Sequence, residues 1–302
     1  MTTRTAPAPE HAARPHLTRW VLRLHRPALY VWTGLVVALT ALLLLLHGPL
    51  TDAAADAWRH YDACTDLQRC RYDQKAILRY KDWYNYATLA VAAAPFLTAA
   101  WAGGMFGKEL ESGTARLAWT QSSTPVRWLT VRLAVPAAAV AAGTALLVWL
   151  HRLAWTAGEG RIDTAKPWFD VWTFHTNGPT LVALALCGLA AGALTGLLTR
   201  RTLPALGLGL LLTGALWAGA QSLLPHLWPT RAAAGDAFRA LHSSDWTVRS
   251  GEQAGIPYGD YHPASHTWPL QLTAGALLLA VAALLTLGCF LALRRLTGKT
   301  TA

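Results

Sequence analysis

MFGKELESGTARLAWTQSSTPVRWLTVRL, residues 105–133, is a polar stretch set between two long apolar runs. It holds Lys108, Glu109, Glu111, Arg116, Arg127 and Arg132. Phe106, Leu110, Gly113 and Leu117 follow at steps of four, three and four, the spacing of one helical face. This pattern predicts an amphipathic hinge between two membrane spans. A chain that keeps its spans free of charge and puts two glutamates in such a hinge offers a partner a place to bind; the plain alternative is a solvated loop.

Working outward, residues 86–105 before the hinge and 129–150 after it are apolar, with Arg132 near the polar end of the second. Residues 28–46, 178–199, 203–224 and 270–293 are four more runs without Asp, Glu, Lys, Arg or His. Each matches the ~20 residues that cross a hydrocarbon core. A cleaved signal peptide is the rival for the first run, because basic residues precede it and Ala53-Ala54-Ala55 imitates a cleavage site. The run exceeds the usual ~7–15-residue core of such signals, and more spans follow. With 53% hydrophobic and 14% charged residues among 302, the composition excludes an ordinary soluble domain. The expected fold is an all-α, polytopic membrane helical bundle of six transmembrane helices, residues 28–302.

Residues 1–27 form a tail with Pro/Ala-rich sequence at its start. From His16 to Arg26, Leu17, Trp20, Val21 and Leu24 share a stripe while Arg19, Arg23 and Arg26 project elsewhere. This predicts an interfacial amphipathic helix, with Arg19, Trp20 and Arg23 at lipid headgroups and Pro27 ending it. A basic flank without fixed conformation is the alternative.

Six spans put both termini on one side. The tails, the 106–128 loop with Arg132, and the Arg200-Arg201 turn hold 14 of the 26 basic residues in a minority of the loop length, whereas 13 of the 16 acids sit in the three opposite loops. The positive-inside rule makes the termini and the 106–128 loop cytoplasmic. The net charge of +10 is spread along loop flanks and chain ends, without the clustered face a nucleic-acid binder needs. The last external loop, 225–269, with Trp228, Trp246 and Trp268, is too long for a bare connector and predicts a small cap with re-entrant or interfacial helices.

Cys64 and Cys70 share the first external loop. An oxidising exterior permits a disulfide between them, with a pair of free thiols as the alternative. Gly188, Gly192 and Gly196 repeat at steps of four, a face that lets another helix of the chain approach closely. His262 and His266 lack a third and fourth ligand for zinc, so no metal site is expected. The spans hold no mid-membrane ionisable group, which argues against ion-coupled transport and against an embedded hydrolase; a catalytic cluster would have to reach in from His151, Asp170 and His175. Gly298-Lys299-Thr300 imitates the end of a phosphate loop, but its first glycine would be Leu293 and no helix can follow. No cofactor and no catalytic residue is expected on this chain.

Gly107-Lys108-Glu109-Leu110-Glu111-Ser112-Gly113-Thr114, then Leu117-Ala118-Trp119-Thr120-Gln121-Ser122 and Arg127-Trp128, resembles the cytoplasmic loop of bacterial ATP-binding cassette (ABC) transporter permeases of the type-2, export-like class. Leu194 to Ala205 resembles the same family's tight turn between the fourth and fifth spans. The resemblance implies a coupling helix that docks on a separate ABC ATPase subunit, which binds and hydrolyses ATP with Mg. Glu109 and Glu111 would be its charged contacts and Gly113-Thr114 would shape it. Arg116, Arg127 and Arg132 would pair with these acids or with lipid phosphate. Ser123-Thr124-Pro125 departs from the more basic run common there. The resemblance further implies a bacterial inner membrane and a second permease copy, as homodimer or with a related permease. The uncharged interior favours an amphipathic or apolar cargo for export. A non-transporting scaffold or sensor subunit that binds a cytoplasmic partner is the alternative.

Overall fold

A computed structural model of the chain describes residues 17–65, 71–121, 124–163 and 165–298, the side chains of 17–25 and 121 excepted. Apolar runs in a bilayer find no water for their backbone, and helix closes those hydrogen bonds internally. Among the described residues, six helical stretches are long and apolar enough to cross a membrane: Arg26–Asp62, Gln74–Glu111, Pro125–Gly158, Pro179–Thr199, Thr202–His226 and Ala264–Gly298.

The first contains most of α1 (Leu17–Leu45), a π-helical turn at Leu46–Leu50, and α2 (Thr51–Asp62). The helix end expected at Pro27 does not occur, since α1 runs through it. A proline removes one donor, and a long ladder with the remaining bonds intact carries on past it. The second divides into α3 (Gln74–Ala92) and α4 (Ala94–Glu111). Pro95 sits in the first turn of α4, where its missing N–H needs no partner. After the short α5 (Thr114–Gln121), α6 (Pro125–Gly158) passes through Pro136 unbroken. The short α7 (Val171–Thr176) leads to α8 (Pro179–Thr199) and α9 (Thr202–Leu223), and α11 (Thr267–Gly298) closes the bundle.

Helix α8 is the centre. In its most apolar stretch 78% of the residues are buried, against 22% in that of Thr202–His226. Small residues make that position possible. A Cβ at Gly188 would collide with the Pro95 carbonyl and one at Gly192 with the Ala99 carbonyl, while one at Gly196 would lie 2.7 Å from Phe106 Cβ. All three glycines therefore face α4. The same stretch of α4 also receives α9: a Cβ at Gly103 would lie 3.0 Å from Ala205 O and one at Gly107 2.9 Å from Arg201 O. Hydroxyls join the backbones: Thr98 donates to Ala185 O at 2.8 Å and Thr195 to Ala205 O at 3.1 Å. In hydrocarbon, close packing and such bonds are what hold helices together.

The cap is a small antiparallel sheet and not the re-entrant or interfacial helices expected. Strands β1 (Arg231–Ala234), β2 (Trp246–Gln253) and β3 (Ile256–His262) lie in the order β1-β3-β2, with the one-turn helix α10 (Asp236–Arg239) between β1 and β2. Ala254 and Gly255 join β2 to β3 with φ of 52° and 77°. Two positive-φ residues in a two-residue loop make a hairpin whose twist suits its strands. Trp246 anchors the sheet, packing on Trp168 and stacking on Phe169 at 6.0 Å each, while Trp168 Nε1 donates to Ser244 O at 2.7 Å. Cys70, half of the expected bridge, lies outside the described residues.

Substitution of Gly192 tests the seam. Gly192→Ala should lower stability by about 1–3 kcal/mol because the obstacle is backbone, and Gly192→Val should abolish the monodisperse folded peak in size-exclusion chromatography. Gly219→Ala, in open space, should leave thermal unfolding unchanged.

Candidate functional site

At the end of the bundle opposite the sheet, α4, α5 and the start of α6 make a hairpin. Helix α4 stops where Ser112 N–H donates to Lys108 O at 2.9 Å and Gly113 turns to φ of 74°. That conformation suits glycine. The continuous helical face expected through Phe106, Leu110, Gly113 and Leu117 is broken there: Phe106 is buried, whereas Leu117 is 55% exposed. Thr114 restarts the chain, its hydroxyl donating to Glu109 O at 3.2 Å. Thr124 caps α6 by accepting from Arg127 N–H at 3.3 Å, with Pro125 following at the first helical position.

Trp128 fills the inside of the hairpin. It is buried, edge-on to Phe106 at 5.6 Å and to Trp119 at 5.5 Å. The Arg132 guanidinium lies 5.9 Å from its ring centre and forms an ion pair with Glu109. Their side chains are 2% and 15% exposed. Two charges this far from water are tolerated because each neutralises the other. Of the three arginines expected near the acids, Arg132 is the one that meets Glu109. Glu111 turns the other way: its Oε2 accepts from Thr202 N–H at 2.9 Å and from the Thr202 hydroxyl at 2.6 Å. It thereby supplies an acceptor to the N-terminus of α9, where backbone donors lack helical partners.

Both glutamates thus have partners within the chain, Glu109 out of solvent and Glu111 at the exposed surface. The hairpin's outward surface is made by Lys108, Ser112, Thr114, Arg116, Leu117, Thr120, Val126 and Arg127, with Glu111 at its edge. Ala115 is buried and fixes α5 against the bundle. Thr202, which the reading of the sequence left unassigned, is signalled by Arg200-Arg201-Thr202-Leu203-Pro204: a polar residue opening an apolar run, with a proline in the first turn.

The trio considered for catalysis has separate duties near the sheet. Asp170 caps α7, accepting from Trp172 and Thr173 N–H at 3.2 and 3.1 Å. His151 is buried between Thr88, 2.8 Å from Nε2, and Asn177, 2.6 Å from Nδ1. His175 meets the Thr180 hydroxyl at 3.2 Å and the Trp217 ring at 4.7 Å. His262 and His266 face each other through Nδ1 atoms at 3.1 Å, and His262 Nε2 is 3.1 Å from Pro225 O.

Burial lowers the His175 pKa to about 4. A depressed folded value favours the neutral ring, so this contribution is complete above the unfolded value near 6.5 and is lost as pH falls from there toward 4. Its full size is on the order of 3 kcal/mol. Thermal unfolding of His175→Gln in detergent should therefore depend less on pH between 7 and 4 than that of the unaltered protein.

A protein-family model described as ABC-2 membrane transporter related matches residues 33–227. The matched region runs from the first span through the fifth and includes the whole hairpin. No curated protein and no solved structure matches the chain. With about two thirds of its length matched and six helices able to cross a membrane, the chain is a multi-pass, permease-type membrane protein that belongs to the ABC-2 membrane transporter related family.

Proposed function

We propose that the protein is the membrane-spanning subunit of an ATP-binding cassette exporter, driven by a separate ATPase subunit that docks on the 106–128 hairpin. The observation that carries this reading is the contrast between the hairpin's braced interior and its open outer face. Ala115, Trp128 and the Glu109–Arg132 pair hold it from within, while Arg116, Leu117 and Thr120 of α5 face outward. A docking helix must receive force without bending away. Glu109 positions the hairpin through Arg132. Glu111 offers its remaining carboxylate oxygen to the partner beside Arg116, and Gly113-Thr114 sets the angle between α4 and α5.

The basic residues at this end include exposed Lys108, Arg116, Arg127, Arg200, Arg201, Arg294 and Arg295, which supports a cytoplasmic side in a bacterial inner membrane. The side chains of Arg19, Trp20 and Arg23, expected at lipid headgroups, lie outside the described residues. The exposed flank of α9 faces a second permease copy, identical or related, and the path between copies takes an amphipathic or apolar molecule. ATP and its Mg stay on the ATPase.

The test is co-purification from the native membrane under mild detergent. An ATPase subunit should accompany the unaltered protein, and Arg116→Glu/Leu117→Asp should reduce the recovered ATPase roughly tenfold, a loss of the kind a central contact produces, with unfolding temperature unchanged. Absence of any nucleotide-binding protein beside the unaltered chain would favour a scaffold or sensor role.

A further inference from the structure

Between the hairpin-side halves of α6 and α11 runs a groove of ≈ 410 Å³, with α8 as its floor. Ala134 and Ala137 of α6 and Ala282 and Ala283 of α11 line its walls, and Ala190 lies on the floor. Short side chains give it its depth. Its lining includes two hydroxyls, and each is spent on its own helix: Thr130 donates to Val126 O at 2.9 Å and Thr286 to Ala282 O at 2.8 Å. What remains is hydrocarbon surface, which offers water no partners.

The groove is about one leaflet long. Its lining on α11 runs from Leu279 to Phe290, about 16 Å of helix and so roughly half of a ~30 Å hydrocarbon core. Beyond Leu279 the same face of α11 reaches Gly275, which turns in against α8: a Cβ there would lie 3.8 Å from the Pro179 ring. The groove closes at that point, so it does not suit a spanning helix, which needs a seam across both leaflets. At its other end the charges begin. Arg127 stands one turn before Thr130 on α6, and Arg294 one turn after Phe290 on α11, the spacings that keep residues on one helical face. Both arginines are exposed. The nearby acids are already engaged, Glu109 by Arg132 and Glu111 by Thr202.

An apolar slot one leaflet long, with two cations beyond its open end, has the chemistry of an acyl chain joined to a phosphate. We propose that this groove holds one acyl chain of an anionic phospholipid, whose phosphate is met by Arg127 and Arg294. The chain fills the space that the alanines leave, and the headgroup neutralises two arginines that the protein's own acids do not reach. A zwitterionic headgroup carries its own cation and gains less from the pair. The bound lipid fastens the start of α6, which forms one arm of the hairpin, to the end of α11. The site stands whether or not the chain moves cargo.

The test is native mass spectrometry of the full chain in mild detergent, titrated with phosphatidylglycerol or with phosphatidylcholine of the same chains. One phosphatidylglycerol per chain should bind, at least about tenfold more tightly than phosphatidylcholine, as two arginines near a lipid phosphate provide. Arg127→Gln/Arg294→Gln should remove that preference. Ala283→Phe, which fills the groove, should weaken both lipids about tenfold by excluding methylenes. Both variants alter exposed positions, so the unfolding temperature in lipid-free detergent should stay unchanged. Glycerol phosphate, which lacks a chain, should not compete. Equal binding of the two lipids, competition by glycerol phosphate, or unchanged binding in either variant would overturn the proposal. So would a lipid-free dimer that Ala283→Phe dissociates, since it would assign the groove to a second copy.

Discussion

The constraint on which this fold depends is the distance between α8 and α4. Glycines at 188, 192 and 196 bring the backbone of α8 against carbonyls and small groups of α4 with no side chain between them. Lipid tails are as apolar as leucine, so burying leucine does little to choose one helix neighbour over another within a bilayer. Close backbone approach and shared hydroxyl bonds do choose. Once α4 is set against α8, Gly103 and Gly107 on the same helix set α9. The three helices become one block around which α1, α6 and α11 are arranged.

The far end of α4 extends this block into the hairpin. Its last turn carries Glu109 toward Arg132 of α6 and Glu111 toward Thr202 at the start of α9. The two acids close two different gaps, and Gly113 then releases the chain into α5. A force applied to α5 would therefore reach α6 and α9 together. At the opposite end, the aromatic contacts among Trp168, Phe169 and Trp246 tie the sheet to the segment before α7.

Much of this was legible because bilayer physics leaves few options. Uninterrupted apolar runs had to be helices, and the glycine spacing marked the face of α8 made for close approach. What escaped the sequence depended on distance in the chain or on a local conformation. The sheet was hidden because Ala254-Gly255 is a weaker turn signal than Asn-Gly and its strands are short and mostly exposed. Periodicity carried the helical face across Gly113, although a glycine there was equally a stop signal. Glu109 in a polar loop read as an exposed contact although it is withdrawn to Arg132, and nothing nearby indicated that Thr202, 91 positions later, would bond the still-exposed Glu111.

The most direct measurement of whether α4 holds the hairpin from within is a double-mutant cycle on Glu109 and Arg132, read by thermal or denaturant unfolding in detergent. Arg132→Met alone leaves a buried carboxylate without its counter-charge and should cost about 3–5 kcal/mol. The Glu109→Leu/Arg132→Met double variant removes both charges and should recover most of that loss. Single losses below about 1 kcal/mol that simply add in the double variant, as expected for an exposed pair, would contradict the account.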